Sequence, residues 1–197
     1  MEIHISDTAD VDERSSIDDR TSVWHLAQIR ENAVIGSDCI IGRGAYIGPS
    51  VVIGNNVKIQ NYALVYDPAE IADGVFIGPA AVLTNDVYPR SVDTEGQLKD
   101  SQDWKPLGVQ VREGASIGAR AVVLAGTEIG AWSLVGAGSV VIRDVPDYAL
   151  VAGNPARQIG WVGRAGVRLV DEEGTWVCPS SRERYSERNG KLTLRKD

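Results

Sequence analysis

The chain is poor in the residues from which metal and disulfide chemistry are built. Its 197 residues include two cysteines, Cys39 and Cys178, and two histidines, His4 and His25. Two thiols cannot make a disulfide framework, and two histidines cannot make a three-histidine metal centre, so no metal site is expected. Long apolar runs are missing as well. No stretch of about eighteen apolar residues occurs, and the opening MEIHISDTAD has no basic region leading into an apolar one. The sequence thus predicts a soluble protein with no membrane partner, and reduced thiols fit a cytoplasmic one. Basic stripes are the third absence. The net charge is −7, and residues 1–20 hold seven acids against Arg14 and Arg20. That balance argues against nucleic acid and anionic membranes, and suits a polar cap over one end of the fold.

What is present is a beat of one branched aliphatic residue every six. It runs Ile5, Val11, Ile17, Val23, Ile29, Ile35, Ile41, Ile47, Ile53, Ile59, Val65, Ile71, Ile77, Leu83 and resumes at Val111, Ile117, Val123, Ile129, Val135, Val141. Neither a helix of period 3.6 nor a strand of period 2 leaves that mark, and a hexapeptide period reads as a β-solenoid. The residue four places after each aliphatic one is small or β-branched, as in Ala27, Ala33, Cys39, Ala45 and Ala115. Each unit thus offers one large and one small inward group. Cys39 falls on a small inward position and is read as packing. Glycines directly after the aliphatic residue, such as Gly36, Gly42, Gly118 and Gly136, are expected at corners with unusual backbone angles.

Val111 follows Leu83 by 28 positions where six would keep the beat, an excess of 22. An insertion over residues 84–108 is therefore expected to leave the coil at a corner, as functional loops on rigid scaffolds do. It holds Asn85, Tyr88, Arg90, Trp104 and Lys105. With three units per coil, residues eighteen apart share a column about 4.8 Å apart. Asp67 and Asn85 are then neighbours at one corner, Tyr66 lies beneath Thr84, and His25, Arg43 and Asn61 share another column. In KIQNYALVYD, Gln60 and Tyr66 replace the usual glycine, so Lys58, Gln60, Asn61, Tyr66 and Asp67 are candidate ligand contacts. Each also has a plainer role: Asp67 and Asn85 as turn caps, Arg90 as a solvated charge, His25 as a corner residue. Pro146 and Pro155 are expected to stop the ladder. TWVCPSSRERYSERNGKLTLR reads as two strands about Asn189-Gly190, with Cys178 an unpaired thiol.

These residues resemble the hexapeptide-repeat acyltransferases, over roughly residues 5–160. The resemblance implies an all-β, left-handed parallel β-helix at 1–160, with 161–197 a short β appendage. VWHLAQI, KIQNYALVYD, VFIGPAAVLTNDVYPRS, VREGASIGA and DVPDYALVAGNPARQIGW occur in the same order in bacterial N-acetyltransferases of UDP- or dTDP-linked 3-amino sugars. Where the commoner motif is TNVYNPR, this chain has TNDVYPR. The resemblance implies acetyl-CoA as cosubstrate, a nucleotide-linked amino sugar as acceptor, and a homotrimer with its cofactor groove between subunits. Asn85 and Asp67 become the catalytic candidates, and Arg90, Tyr66, Gln60, Asn61, Lys58 and His25 the substrate contacts. Gly118, Gly136, Ala137, Arg143 and Arg157 are the expected coenzyme contacts. A sugar O-acetyltransferase and a non-catalytic scaffold are the alternatives. A zinc hydrolyase of the same fold lacks its histidines here.

Overall fold

The computed structural model describes residues 2–100 and 102–195. It is all-β: a left-handed parallel β-helix of triangular section, followed by a small antiparallel sheet. Each rung is a two-residue strand whose second residue is the aliphatic one of the repeat, as in Val34–Ile35, Ile40–Ile41 and Tyr46–Ile47. Strands pair in parallel with those eighteen residues away, Ile59 against Ile41 and Ile77. The first face carries Ile5, Val23, Ile41, Ile59, Ile77, Ile117, Val135 and Val151; the second face runs from Val11 to Val141, and the third from Ile17 to Ile129. The corner after each face takes that face's number below.

Inward packing follows the beat. The aliphatic residues from Val23 to Val141 are 2% exposed or less, and Ala27, Ala33, Cys39 and Ala115 are fully buried beside them. Each such aliphatic side chain contributes about 1.5–3 kcal/mol on leaving water. Ile5 departs from its expected core position and is 46% exposed, because no coil lies beneath the first one.

The expectation for the corner glycines is corrected. The left-handed residue is not the one after the aliphatic but the third after it: Asn32, Asp38, Gly44, Asn56, Gly74, Gly114. Gly36, Gly42, Gly118 and Gly136 are absent from the positive-φ set. They answer a steric demand instead. A Cβ on Gly118 would lie 2.5 Å from the Ala137 nitrogen, one coil above.

Of the two prolines expected to stop the ladder, Pro146 does not, while Pro155 stands where the parallel ladder ends. Val145 bridges Ile129 in parallel just before Pro146, and Ala149–Gly153 adds a further parallel rung against Leu134–Val135. The chain reverses only at Asn154-Pro155, where Ala156–Trp161 pairs antiparallel with Ala149–Gly153. A proline at a corner costs the ladder nothing, since the ladder bonds belong to the flanking residues. Beyond lie Val170–Glu172, Thr175–Val177, Arg184–Arg188 and Lys191–Leu194, one four-stranded sheet with Asn189 and Gly190 at the last turn. This sheet docks by aromatic contact. Tyr185 is buried with its ring 5.3 Å from Tyr148, and Glu187 accepts hydrogen bonds from the Trp161 and Trp176 indoles.

Among the described residues no helix is long and apolar enough to cross a membrane. The inserted loop leaves at Asn85 and returns at Leu107, whose N–H donates to the Asn85 carbonyl at 2.9 Å. Within it a short bridge joins Val92 to Leu98.

Candidate functional site

At several corners an amide or carboxylate side chain accepts the backbone N–H of the coil below. Ser37 N–H donates to Asn55 Oδ1 at 2.9 Å, and Asn55 N–H to Asp73 Oδ1 at 2.7 Å. Arg43 N–H donates to Asn61 Oδ1 at 2.9 Å, and Ala131 N–H to Asp147 Oδ1 at 2.7 Å. These side chains close the corner. Each such bond contributes on the order of 0.5–3 kcal/mol, more when the acceptor is charged.

The second corner breaks this rule at Asp67. Counting down eighteen residues puts Pro49 beneath it, and proline has no N–H to give. A Cβ on Gly48 would stand 3.2 Å from Asp67 Oδ1, so the carboxylate does lie over the step below. Its one side-chain hydrogen bond among the described residues comes from Asn85 Nδ2, at a long 3.4 Å. The plainer reading of Asp67 as a turn cap therefore fails. Asp67 and Asn85 are both half-buried at the root of the inserted loop, with lone pairs and amide protons open to a ligand.

The neighbourhood is aromatic on one side. Tyr66 stands beside Asp67, its ring 5.2 Å from that of Tyr46 on the coil below. Burial pushes the Tyr46 phenol up, while Arg30 pulls it down. Arg30 is held by Glu31 at 2.8 Å. One coil above Asn85, Thr84 Oγ1 takes the Ala125 N–H at 3.0 Å. The same column continues to Arg143, two coils above Asn85.

The remaining candidates do not all join this corner. Arg143 and Arg157 line one hollow of about 240 Å³ with Ile142, Pro146 and Gln158. Neither guanidinium is ion-paired among the described residues, and Arg157 donates only to its neighbour's Ala156 carbonyl. Asp144, also on its wall, has Oδ1 engaged by the Glu128 N–H. The donor set suits an anion. Arg90 is exposed on the loop and donates to the Pro89 carbonyl.

His25, Gln60, Asn61, Gly118, Gly136 and Ala137 lie along the first corner, the second face between them and Asp67. Lys58 projects from the first face. His25 Nδ1 is paired with Thr8 Oγ1 at 2.8 Å and is far down the coil stack, while Asn61 is a corner cap. Gly118 and Gly136 have their N–H groups in the ladder, donating to Val135 and Val151. On this corner the N–H groups of Ala119 and Ala137, like those of His25 and Asn61, have no partner among the described residues; the residues above Ala119 and Ala137, namely Ala137 and Gly153, carry no acceptor side chain. Ala119 and Pro49 were missed in the sequence, though the eighteen-residue count, carried across the insertion, reaches both.

Elsewhere, burial pushes the Cys39 thiol up, in keeping with packing. The Cys178 thiol is lowered to about 7: its burial acts upward and is outweighed by hydrogen bonds from Ser180 and Ser181.

Residues 14–49, 50–85 and 108–143 match the family model described as bacterial transferase hexapeptide (six repeats). A dTDP-3-amino-3,6-dideoxy-alpha-D-galactopyranose 3-N-acetyltransferase of Aneurinibacillus thermoaerophilus is 48% identical over 79 residues, which cover 39% of this chain and 41% of that protein. The serine acetyltransferase of Haemophilus influenzae is 44% identical over 87 residues, or 44% of this chain and 32% of that one. The chain thus spans well under half the length of these curated relatives. Among solved structures, a point mutant of AntD, an N-acyltransferase from Bacillus cereus in complex with dTDP and coenzyme A, superposes with a TM-score of 0.51. It is 19% identical, and the match covers 82% of each chain, a likeness of fold.

Proposed function

Because the chain belongs to the bacterial transferase hexapeptide family, we propose that it is an acetyl-CoA-dependent N-acetyltransferase acting on the amino group of a nucleotide-linked 3-amino sugar. The observation that carries this reading is Asp67, a carboxylate freed by Pro49 from corner capping and set against Asn85 at the root of a loop. The Aneurinibacillus relative, named for a dTDP-linked 3-amino sugar, points to the same acceptor class.

The chemistry is aminolysis of a thioester. The neutral amine attacks the thioester carbonyl, an N–C bond forms, and the C–S bond breaks. Asn85 and Asp67 hold the amine by hydrogen bonds so that its lone pair faces the carbonyl carbon; such positioning is worth up to about 7–11 kcal/mol in favourable cases. The departing thiolate takes the proton that the amine loses, so no histidine is required. The N–H groups of Ala119 and Ala137 suit the oxyanion of the tetrahedral intermediate. Arg143 and Arg157 suit the phosphates of coenzyme A.

Ala119 and Asp67 lie on different corners of one chain, with the second face between them. Above Asp10 and Gln28 its outward row, Tyr46, Leu64, Val82, Val122 and Val140, is apolar. Three copies packed by this face about a threefold axis bring the first corner of one subunit to the second corner of the next, as a homotrimer with a shared groove. Light scattering tests this; a stable monomer that binds acetyl-CoA tightly overturns it. The reduced thiols of Cys39 and Cys178 fit a cytoplasmic protein.

The serine acetyltransferase relatives give a second reading, O-acylation of a hydroxyl. A hydroxyl is the weaker nucleophile and requires a general base. His25 is engaged by Thr8 and lies two coils below Asn61, the first-corner residue level with Asp67, which favours the amine. A panel of nucleotide amino sugars assayed with acetyl-CoA decides: thiol release is expected only with an aminated sugar. Release with the hydroxylated analogue alone overturns the N-acetyltransferase reading.

A further inference from the structure

The inserted loop bears an open hollow of about 430 Å³, lined by Asp86, Arg90, Ser91, Leu98, Lys99, Asp100 and Trp104. It begins one residue from Asn85. We propose that this hollow is the nucleotide subsite: Trp104 stacks the base, Arg90 and Lys99 hold the diphosphate, and the loop exists to carry them. This rests on the reading of the acceptor as a nucleotide-linked sugar and assigns the part of that substrate the Asp67–Asn85 corner does not reach.

Four observations carry it. The loop is folded around the hollow rather than loose over it: the Lys99 N–H donates to the Ser91 carbonyl at 3.0 Å and Val92 bridges Leu98, which sets Arg90 beside Lys99. Neither cation is matched by a carboxylate at ion-pair distance among the described residues. The two acids in the wall are turned to turn amides instead, Asp86 Oδ1 taking the Tyr88 N–H at 2.8 Å and Asp100 Oδ1 the Gln102 N–H at 2.7 Å. Trp104 is 38% exposed, and no aromatic ring or cation lies over its indole among the described residues.

A part-exposed indole with no ring or cation over it, beside two unmatched cations, fits a flat base joined to a diphosphate. A bare sugar has no charge for Arg90 and Lys99, and inorganic phosphate has no use for the indole. The free second oxygens of Asp86 and Asp100 can accept from ribose hydroxyls. The size lies within the usual range for ligand sites.

The test is calorimetric titration of the intact protein with uridine, thymidine and guanosine diphosphates, beside acetyl-CoA. Trp104→Ala is expected to weaken binding of the preferred diphosphate at least about tenfold, as loss of one base stack does, and Trp104→Phe to restore most of it. Lys99→Gln is expected to weaken it about threefold to tenfold, with a loss that shrinks as salt rises. Acetyl-CoA affinity and melting temperature should stay at wild-type values in all three. If the wild type binds a nucleoside diphosphate and all three variants bind it equally well, the subsite is wrong while the acceptor reading stands. If the wild type binds none of the three diphosphates, the subsite and the nucleotide-sugar reading fall together.

Discussion

The second and third corners are built on one backbone plan, yet their acidic and amide side chains do different work. At the third corner Asn55 and Asp73 each accept a main-chain N–H from the coil beneath, and the corner is closed. At the second, Asp67 occupies the equivalent place over Pro49, where there is no N–H to accept. The residue type is nearly constant; the group one coil below decides whether it holds the fold or faces a ligand. A carboxylate left without its structural partner at the mouth of a loop is the feature on which the proposed site rests.

The comparison breaks most sharply at Asn85. Replacing it by alanine should lower kcat at least about 100-fold, the loss typical of one well-placed polar group at a reacting centre, with the melting temperature nearly unchanged. Steady-state kinetics with a nucleotide amino sugar check this, and near-normal turnover removes the site assignment. Next in size are the cations of the hollow proposed for coenzyme A. Arg143→Gln and Arg157→Gln should each raise KM for acetyl-CoA about tenfold while kcat holds, which initial-rate measurements resolve into binding against chemistry.

A smaller effect tests the proline directly. Pro49→Ala supplies the missing N–H, letting Asp67 become a corner cap like Asp73; kcat/KM should fall about threefold to fivefold, roughly 1 kcal/mol of transition-state stabilisation. An unchanged kcat/KM would show that the missing N–H is not what frees Asp67. The mirror experiment is Asp73→Ala at the third corner. It should leave turnover alone and cost about 1–2 kcal/mol of stability, a fall of several degrees in melting temperature by calorimetry.

Much of the fold was legible in the six-residue beat. The inward rows, the coil stacking and the adjacency of Asp67 and Asn85 follow from counting, because a solenoid maps sequence distance onto spatial distance at a constant rate. The same count reaches Pro49 and Arg143 but does not say which N–H groups lack acceptors. The corner glycines were misread because their reason is the backbone of the next coil, which no local pattern records. The substrate candidates were also scattered: Asn61 is a cap, His25 is held by Thr8, and Lys58 stands on another face. Chemistry-bearing residue types cluster in KIQNYALVYD, but a segment that turns a corner cannot point all of them into one site.

By itself the amino-acid order determined the prism, since one buried aliphatic residue per six admits few other ways to hide that surface from water. Only the tertiary structure decided where hydrogen bonding is left incomplete, as at Asp67 and at the amides of Ala119 and Ala137, and how the inserted loop sets a hollow beside Trp104. The reason is the same in each case: a missing partner and a hollow are properties of neighbours in space, and outside the repeat the chain carries no period from which those neighbours can be counted.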